Sequence, residues 1–109
     1  MATTTFINKP YKNVGTGVAT VWTVPAATQA TVVGLCCANT TNTAVTVSIY
    51  LTQSSVNYYI VNNATVPAGG SLVAVGGDQK LVLQASDQIN VTASTSSCID
   101  VIMSLLQVT

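Results

Sequence analysis

Ala44-Val45-Thr46-Val47-Ser48-Ile49-Tyr50-Leu51-Thr52 is the stretch whose reading decides the fold. Val45, Val47, Ile49 and Leu51 alternate with Thr46, Ser48, Tyr50 and Thr52, so an extended chain would send one set to each face. That is a strand with one face in a core and the other in water. The same period recurs in Ile89, Val91 and Ala93 against Asn90, Thr92 and Ser94, and in Ile99, Val101, Met103 and Leu105 near the carboxyl end. No segment carries a 3.6-residue apolar stripe of helical length.

Working outward, turn-forming residues cut the chain at short intervals. They include Gly15-Thr16-Gly17, Pro25-Ala26-Ala27-Thr28, Asn39-Thr40-Thr41-Asn42, Gln53-Ser54-Ser55, Pro67-Ala68-Gly69-Gly70 and Gly76-Gly77-Asp78-Gln79. Strands are predicted near 18–24, 30–38, 44–52, 58–62, 71–75, 80–84, 88–94 and 98–108. About eight short strands without a helix predict an all-β, single-domain antiparallel β-sandwich of the jelly-roll or Greek-key kind, spanning 15–109. Residues 1–14 contain Pro10, which cannot donate to a ladder, and read as an edge strand or an extended N-terminal arm. The polar run after Gly34-Leu35-Cys36-Cys37-Ala38 reads as a hairpin turn into the strand beginning near Ala44.

A chain of 109 residues suits one core, and its 49% hydrophobic content is ample for it. Only 6% of residues are charged, against ~25% in ordinary soluble proteins. The whole inventory is Lys9, Lys12, Lys80, Asp78, Asp87 and Asp100, with no Arg, Glu or His and a net charge of zero. Such a surface must be solvated by hydroxyls and amides, and it lacks the like-charge repulsion that keeps free monomers apart. No basic cluster could neutralise a row of phosphates, so nucleic acid is not an expected partner. Met1-Ala2-Thr3-Thr4-Thr5-Phe6 lacks a basic segment followed by an apolar one and does not read as a secretory signal. Apolar runs fall far short of the roughly 20 residues of a spanning helix. The expectation is a protein made in a cytoplasm and not inserted in a membrane.

The residues offer little to catalysis, and the expectation is no enzyme, no cofactor and no metal. Acid–base chemistry most often uses His or a paired carboxylate, and His is absent. Asp78 and Asp87 follow Gly76-Gly77 and Ala85-Ser86, where a short carboxylate bonds its own backbone two residues on. Two such loops sharing a calcium ion is the alternative, short of oxygen charge. Asp100, one residue into an alternating strand, is expected to face solvent. A serine nucleophile would lack its base. Cys36 and Cys37 are consecutive, so in a strand they leave by opposite faces, which defeats convergent metal ligation. One thiol is expected in the core and the other outside. With Cys98 the count is odd, which leaves open an intersubunit disulfide through Cys36 or Cys37. Asn39-Thr40-Thr41, Asn63-Ala64-Thr65 and Asn90-Val91-Thr92 match the glycosylation sequon and read as coincidences of an Asn- and Thr-rich chain. Trp22 and the tyrosines could stack on a sugar, but protein interfaces favour the same residues. The candidate interface set is Phe6, Lys9, Tyr11, Lys12, Tyr50, Tyr58 and Tyr59.

Four blocks in order carry a family resemblance: Val21-Trp22-Thr23-Val24-Pro25-Ala26 with Ala30-Thr31-Val32-Val33-Gly34-Leu35; Ala38-Asn39-Thr40-Thr41-Asn42-Thr43-Ala44-Val45-Thr46-Val47; Val66-Pro67-Ala68-Gly69-Gly70-Ser71; and Lys80-Leu81-Val82-Leu83-Gln84-Ala85-Ser86-Asp87-Gln88-Ile89-Asn90-Val91. In that order they resemble small virion proteins of tailed bacteriophages: capsid decoration (cement) proteins, neck and tail components, and domains of tail fibres. The resemblance implies a non-enzymatic structural role in the virion, assembled in the host cytoplasm. It implies homo-oligomers, with a trimer preferred, whose partners are the major capsid protein or other virion proteins. A decoration protein bridging shell subunits is the leading expectation. The alternative is a tail-fibre, baseplate or neck module for adhesion or host-glycan binding.

Overall fold

The computed structural model describes residues 3–76 and 80–109. Among them are nine strands and no helix: β1 (Thr4–Val14), β2 (Ala19–Thr23), β3 (Gln29–Asn39), β4 (Val45–Gln53), β5 (Val56–Val66), β6 (Ser71–Val75), β7 (Leu81–Leu83), β8 (Gln88–Ala93) and β9 (Ile99–Val108). The alternation that predicted them is the alternation of their burial. In β9, Ile99, Val101, Met103 and Leu105 are buried while Ile102 and Ser104 between them are exposed. In β4, Val45, Val47 and Ile49 enter the same core, where they meet Ile89 and Val91 of β8. Each such side chain contributes roughly 1.5–3 kcal/mol on burial.

The strands form two antiparallel sheets. The front sheet runs β1-β9-β3-β6, with β7 also on β3, and the back sheet runs β2-β8-β4-β5. The chain changes sheet at every connection except β4 to β5 and β6 to β7, which is the winding of a jelly roll. β6 and β7 pair with successive parts of one side of β3, at Leu35–Ala38 and Ala30–Val32, so they act as two pieces of one edge strand. The ninth strand beyond the eight predicted is β1, the segment that the sequence leaves as an arm or an edge strand.

Residues 4–14, which the sequence reads as either an arm or an edge strand, pair with β9 from Thr4↔Val108 to Val14↔Ile99. Two local readings need correction. The polar run from Asn39 to Ala44 is a crossover between sheets and not a hairpin, since β3 bonds β9, β6 and β7 while β4 bonds β5 and β8. The buried Asn39 shapes it: its Nδ2 donates to Thr43 O at 2.8 Å and Val66 O at 3.1 Å, and its Oδ1 accepts Thr41 N–H at 2.9 Å. β5 is also far longer than 58–62. Ser54 and Ser55 both have positive φ (52° and 65°), the signature of a tight two-residue hairpin turn, so pairing resumes at once with Gln53↔Val56. Register shifts between Val47 and Ile49 and between Ile49 and Tyr50 then carry β5 on to Val66.

Candidate functional site

The edge strand β1 sorts the amino-terminal candidates by face. Ile7, Lys9 and Tyr11 lie opposite Leu105, Met103 and Val101, which are buried, whereas Phe6 and Pro10 lie opposite Leu106 and Ile102 on the outer face. Lys9 therefore leans into the open corner between the sheets. Its Nζ sits 5.9 Å from the ring centroid of Trp22, which β2 directs inward opposite Ile89. A cation over an indole at such a site is worth ~0.5–1 kcal/mol. Trp22 is half-buried against the core, with Lys9 over its ring, and is not the open stacking surface a sugar would need. An inward lysine, Pro10 and a bulge together guard an edge against pairing with another chain. The bulge lies between Tyr11 and Val14, where Asn13 takes φ 61°. Asp100 supports it: Oδ1 accepts Asn13 N–H at 3.0 Å and Oδ2 pairs with Lys12 Nζ at 3.4 Å. Asp100 thus faces outward as alternation predicts, but its carboxylate is engaged.

The tyrosines divide differently. Tyr50 faces outward from the back sheet yet is only 6% exposed, because Tyr59 packs over it with ring centroids 5.0 Å apart. Burial, with the Tyr59 phenol beside it, raises the Tyr50 hydroxyl above its ordinary pKa. Asn90 is buried next along this face, where it accepts from Thr20 Oγ1 at 2.7 Å and its Nδ2 donates to Thr52 Oγ1 at 2.8 Å. Tyr58, Tyr59 and Tyr11 are exposed.

At one end of the sandwich the β4–β5 hairpin faces the β7–β8 turn across a polar cleft of about 580 Å³. Amides and hydroxyls of Thr52, Gln53, Ser54, Gln84 and Ser86 line it, with one carboxylate, Asp87. Asp87 is buried. Its Oδ2 accepts Gln84 N–H at 2.9 Å, and Gln53 Nε2 donates to both oxygens at 3.1 and 3.2 Å. The turn bond therefore reaches back three residues rather than two on, and the carboxylate clamps two loops. Asp78 lies outside the described residues. Among the described residues no group of three or more His, Cys, Asp or Glu side chains is placed to hold a metal.

Cys37 is fully buried and Cys36 is half-buried on the opposite face of β3. Burial first, and the Cys36 thiol second, push Cys37 up to about 12. Cys98 is buried, with Sγ donating to Thr95 O at 3.0 Å, and all three thiols are free. Of the sequon asparagines, Asn39 and Asn90 are buried and Asn63 is exposed.

One feature the candidate set missed is the outer face of the front sheet. Phe6 (75% exposed), Val73 (65%), Val82 (62%) and Ile102 (52%) all point from it into solvent. The signal visible in the sequence is Ile102, an apolar residue at a polar position of the alternation in β9.

No protein-family model matches the chain and no curated protein matches its sequence. Solved structures share its fold. A subunit of Bacillus endospore appendages, described as a novel family of disulfide-linked pili, aligns with TM-score 0.57 and 11% identity over 97% of this chain and 86% of that one. A protein of the T13 viral particle of IBDV aligns with TM-score 0.61 and 9% identity over 98% of this chain, which spans 30% of that longer chain. PirA aligns with TM-score 0.50 and 12% identity over 89% of this chain and 92% of that one. These likenesses show a jelly-roll β-sandwich and do not single out tailed-bacteriophage virion proteins.

Proposed function

We propose that this chain is a non-enzymatic structural protein of a bacteriophage virion, a capsid decoration protein that stabilises the head by bridging shell subunits. The observation that carries this reading is the surface. The strands bear only three charged residues, Lys9, Lys12 and Asp100, and one whole sheet face is studded with exposed apolar side chains. Such a jelly roll is suited to being covered. A neighbour in a viral particle and another described as a pilus subunit support an assembly role. A small protein that binds the assembled shell and not its free subunits shifts the assembly equilibrium by mass action, and many copies multiply a modest contact. The partners are then the major capsid protein or other virion proteins and further copies of this chain, and the location is the virion. Of the residues singled out by sequence, Phe6, Tyr11, Lys12, Tyr58 and Tyr59 are exposed for such contacts. Tyr50 and Lys9 are engaged within the fold, and Cys36 is the thiol within reach of a neighbouring subunit. Heads assembled without this chain should burst at lower temperature and under milder osmotic shock than complete heads. Equal resistance would contradict the decoration role.

The polar cleft favours a second reading, an adhesion module of a tail fibre, baseplate or neck. Tyr58 sits opposite Leu51 on the hairpin that forms the cleft wall, which sets an exposed aromatic near a row of amides and hydroxyls. Titrating the pure protein with host surface glycans, read by tyrosine and tryptophan fluorescence, tests it; no saturable change would count against it.

A further inference from the structure

We infer that the outer face of the front sheet docks a second copy of this chain, face to face about a two-fold axis. The inference deepens the assembly reading and rests on it for the expectation that the chain forms oligomers. Two rows cross this face in register. One runs Val73, Cys36, Ile102, Pro10 from β6 to β1, and the other runs Val82, Thr31, Leu106, Phe6. The exposed parts of Phe6, Val33, Val73, Val82 and Ile102 amount to roughly 500 Å², near the top of the range for the largest apolar patch of a monomer. That is more than half of the ~800 Å² each partner contributes to a stable pair.

Charge and shape select the occupant. Among the described residues, charge stands only at the margins of the face: the Lys12–Asp100 pair at one end, and Lys80 just ahead of β7. An acidic or basic partner finds no complement across the centre, whereas another copy of a neutral chain brings an equally uncharged surface. A depression of about 250 Å³ lies beside Phe6, with Asn8, Val33 and Ser104 among its lining residues. Knob and hollow on one patch are what a self-complementary contact requires. The guarded β1 edge, with inward Lys9 and with Pro10, opposes the competing route of edge-to-edge strand addition there.

Sedimentation velocity of the full chain over a dilution series, together with the rate at which Cys36 reacts with a maleimide, tests this. Cys37 and Cys98 are buried, so Cys36 is the thiol that labels in the folded chain. The expected result is a dimer in which Cys36 labelling slows in proportion to the dimer fraction. Ile102→Lys and Val73→Lys should each weaken the dimer by ~100-fold or more, because each buries an unpaired charge. Thr65→Lys, on the back sheet, should leave it unchanged. Folding of each variant is checked by its urea unfolding at a dilution where the parent is monomeric. A parent chain that stays monomeric throughout, or an oligomer that Ile102→Lys leaves intact with Cys36 labelling at the monomer rate, overturns the inference. A monomeric parent that still protects heads would overturn the pairing and leave the decoration role standing; a dimer with no effect on heads would do the reverse.

Discussion

Replacing Asp87 with alanine should cost the fold about 2–4 kcal/mol. The carboxylate is buried, takes the Gln84 backbone N–H at 2.9 Å, and holds Gln53 Nε2 at 3.1 and 3.2 Å. A hydrogen bond to a charged group is worth ~1.5–3 kcal/mol net. The Gln53 amide is half-exposed and can turn to water, so its share falls at the low end of that range. The β7–β8 turn has other ties that survive the substitution, since Val24 N–H donates to Asp87 O and Ser86 N–H donates to Val24 O, both at 2.9 Å. In a domain of this size each 1 kcal/mol moves the melting temperature by roughly 4–8 °C, so the variant should melt ~10–30 °C lower. Asp87→Asn keeps an oxygen for Gln84 N–H but turns an NH₂ toward Gln53, and should lose less. Urea unfolding followed by the fluorescence of Trp22, with the m-value unchanged, is the assay. A loss below about 0.5 kcal/mol for Asp87→Ala, the level of an ordinary surface substitution, would refute the clamp.

Three further outcomes follow from single contacts. Asn39→Ala removes the four hydrogen bonds of a buried side-chain amide at the β3–β4 crossover and should destabilise by about 2–4 kcal/mol in the same urea assay; Asn39→Asp, which cannot donate to Thr43 O or Val66 O, should not restore it. Cys37, raised from 9.0 to about 12, keeps its proton in the folded chain where the unfolded chain gives it up. Its contribution is therefore intact below pH 9.0 and falls by ~1.4 kcal/mol per pH unit from there toward about 12, a slope that Cys37→Ala should remove in paired urea titrations. Lys9→Ala should cost ~0.5–1 kcal/mol and shift Trp22 emission to the red as the uncovered indole meets water.

The strands buried on one face were legible because their pattern is local. Ile99, Val101, Met103 and Leu105 name their own face, and so do Val45, Val47 and Ile49. What period two cannot say is which sheet a strand joins. The Asn39-Thr40-Thr41-Asn42 turn reads the same whether it closes a hairpin or crosses the sandwich; the pairing of β3 and β4 in different sheets decides it, and the reach of Asn39 to Val66 O, 27 residues away, holds the crossover in place. Tyr50 sits on the polar face as its alternation requires and is buried all the same, because Tyr59 covers it from the next strand. Asp87 was recognisable as a turn residue, but its partner Gln53 lies 34 residues off with no pattern linking them. The apolar outer face was legible only at Ile102, which breaks the alternation of β9; elsewhere it was hidden for another reason. In Leu72-Val73-Ala74-Val75 and Leu81-Val82-Leu83 every residue is apolar, and such runs read equally as strands buried on both sides.

The central claim is that this chain is a multi-copy structural subunit of a particle. The most direct test is to locate it by electron microscopy of purified virions, with an antibody or with density fitted by the jelly roll. The account predicts a regular array of copies over the head, with the apolar front face covered in every copy. Virions that lack the chain, or copies standing isolated with that face open to solvent, would contradict it.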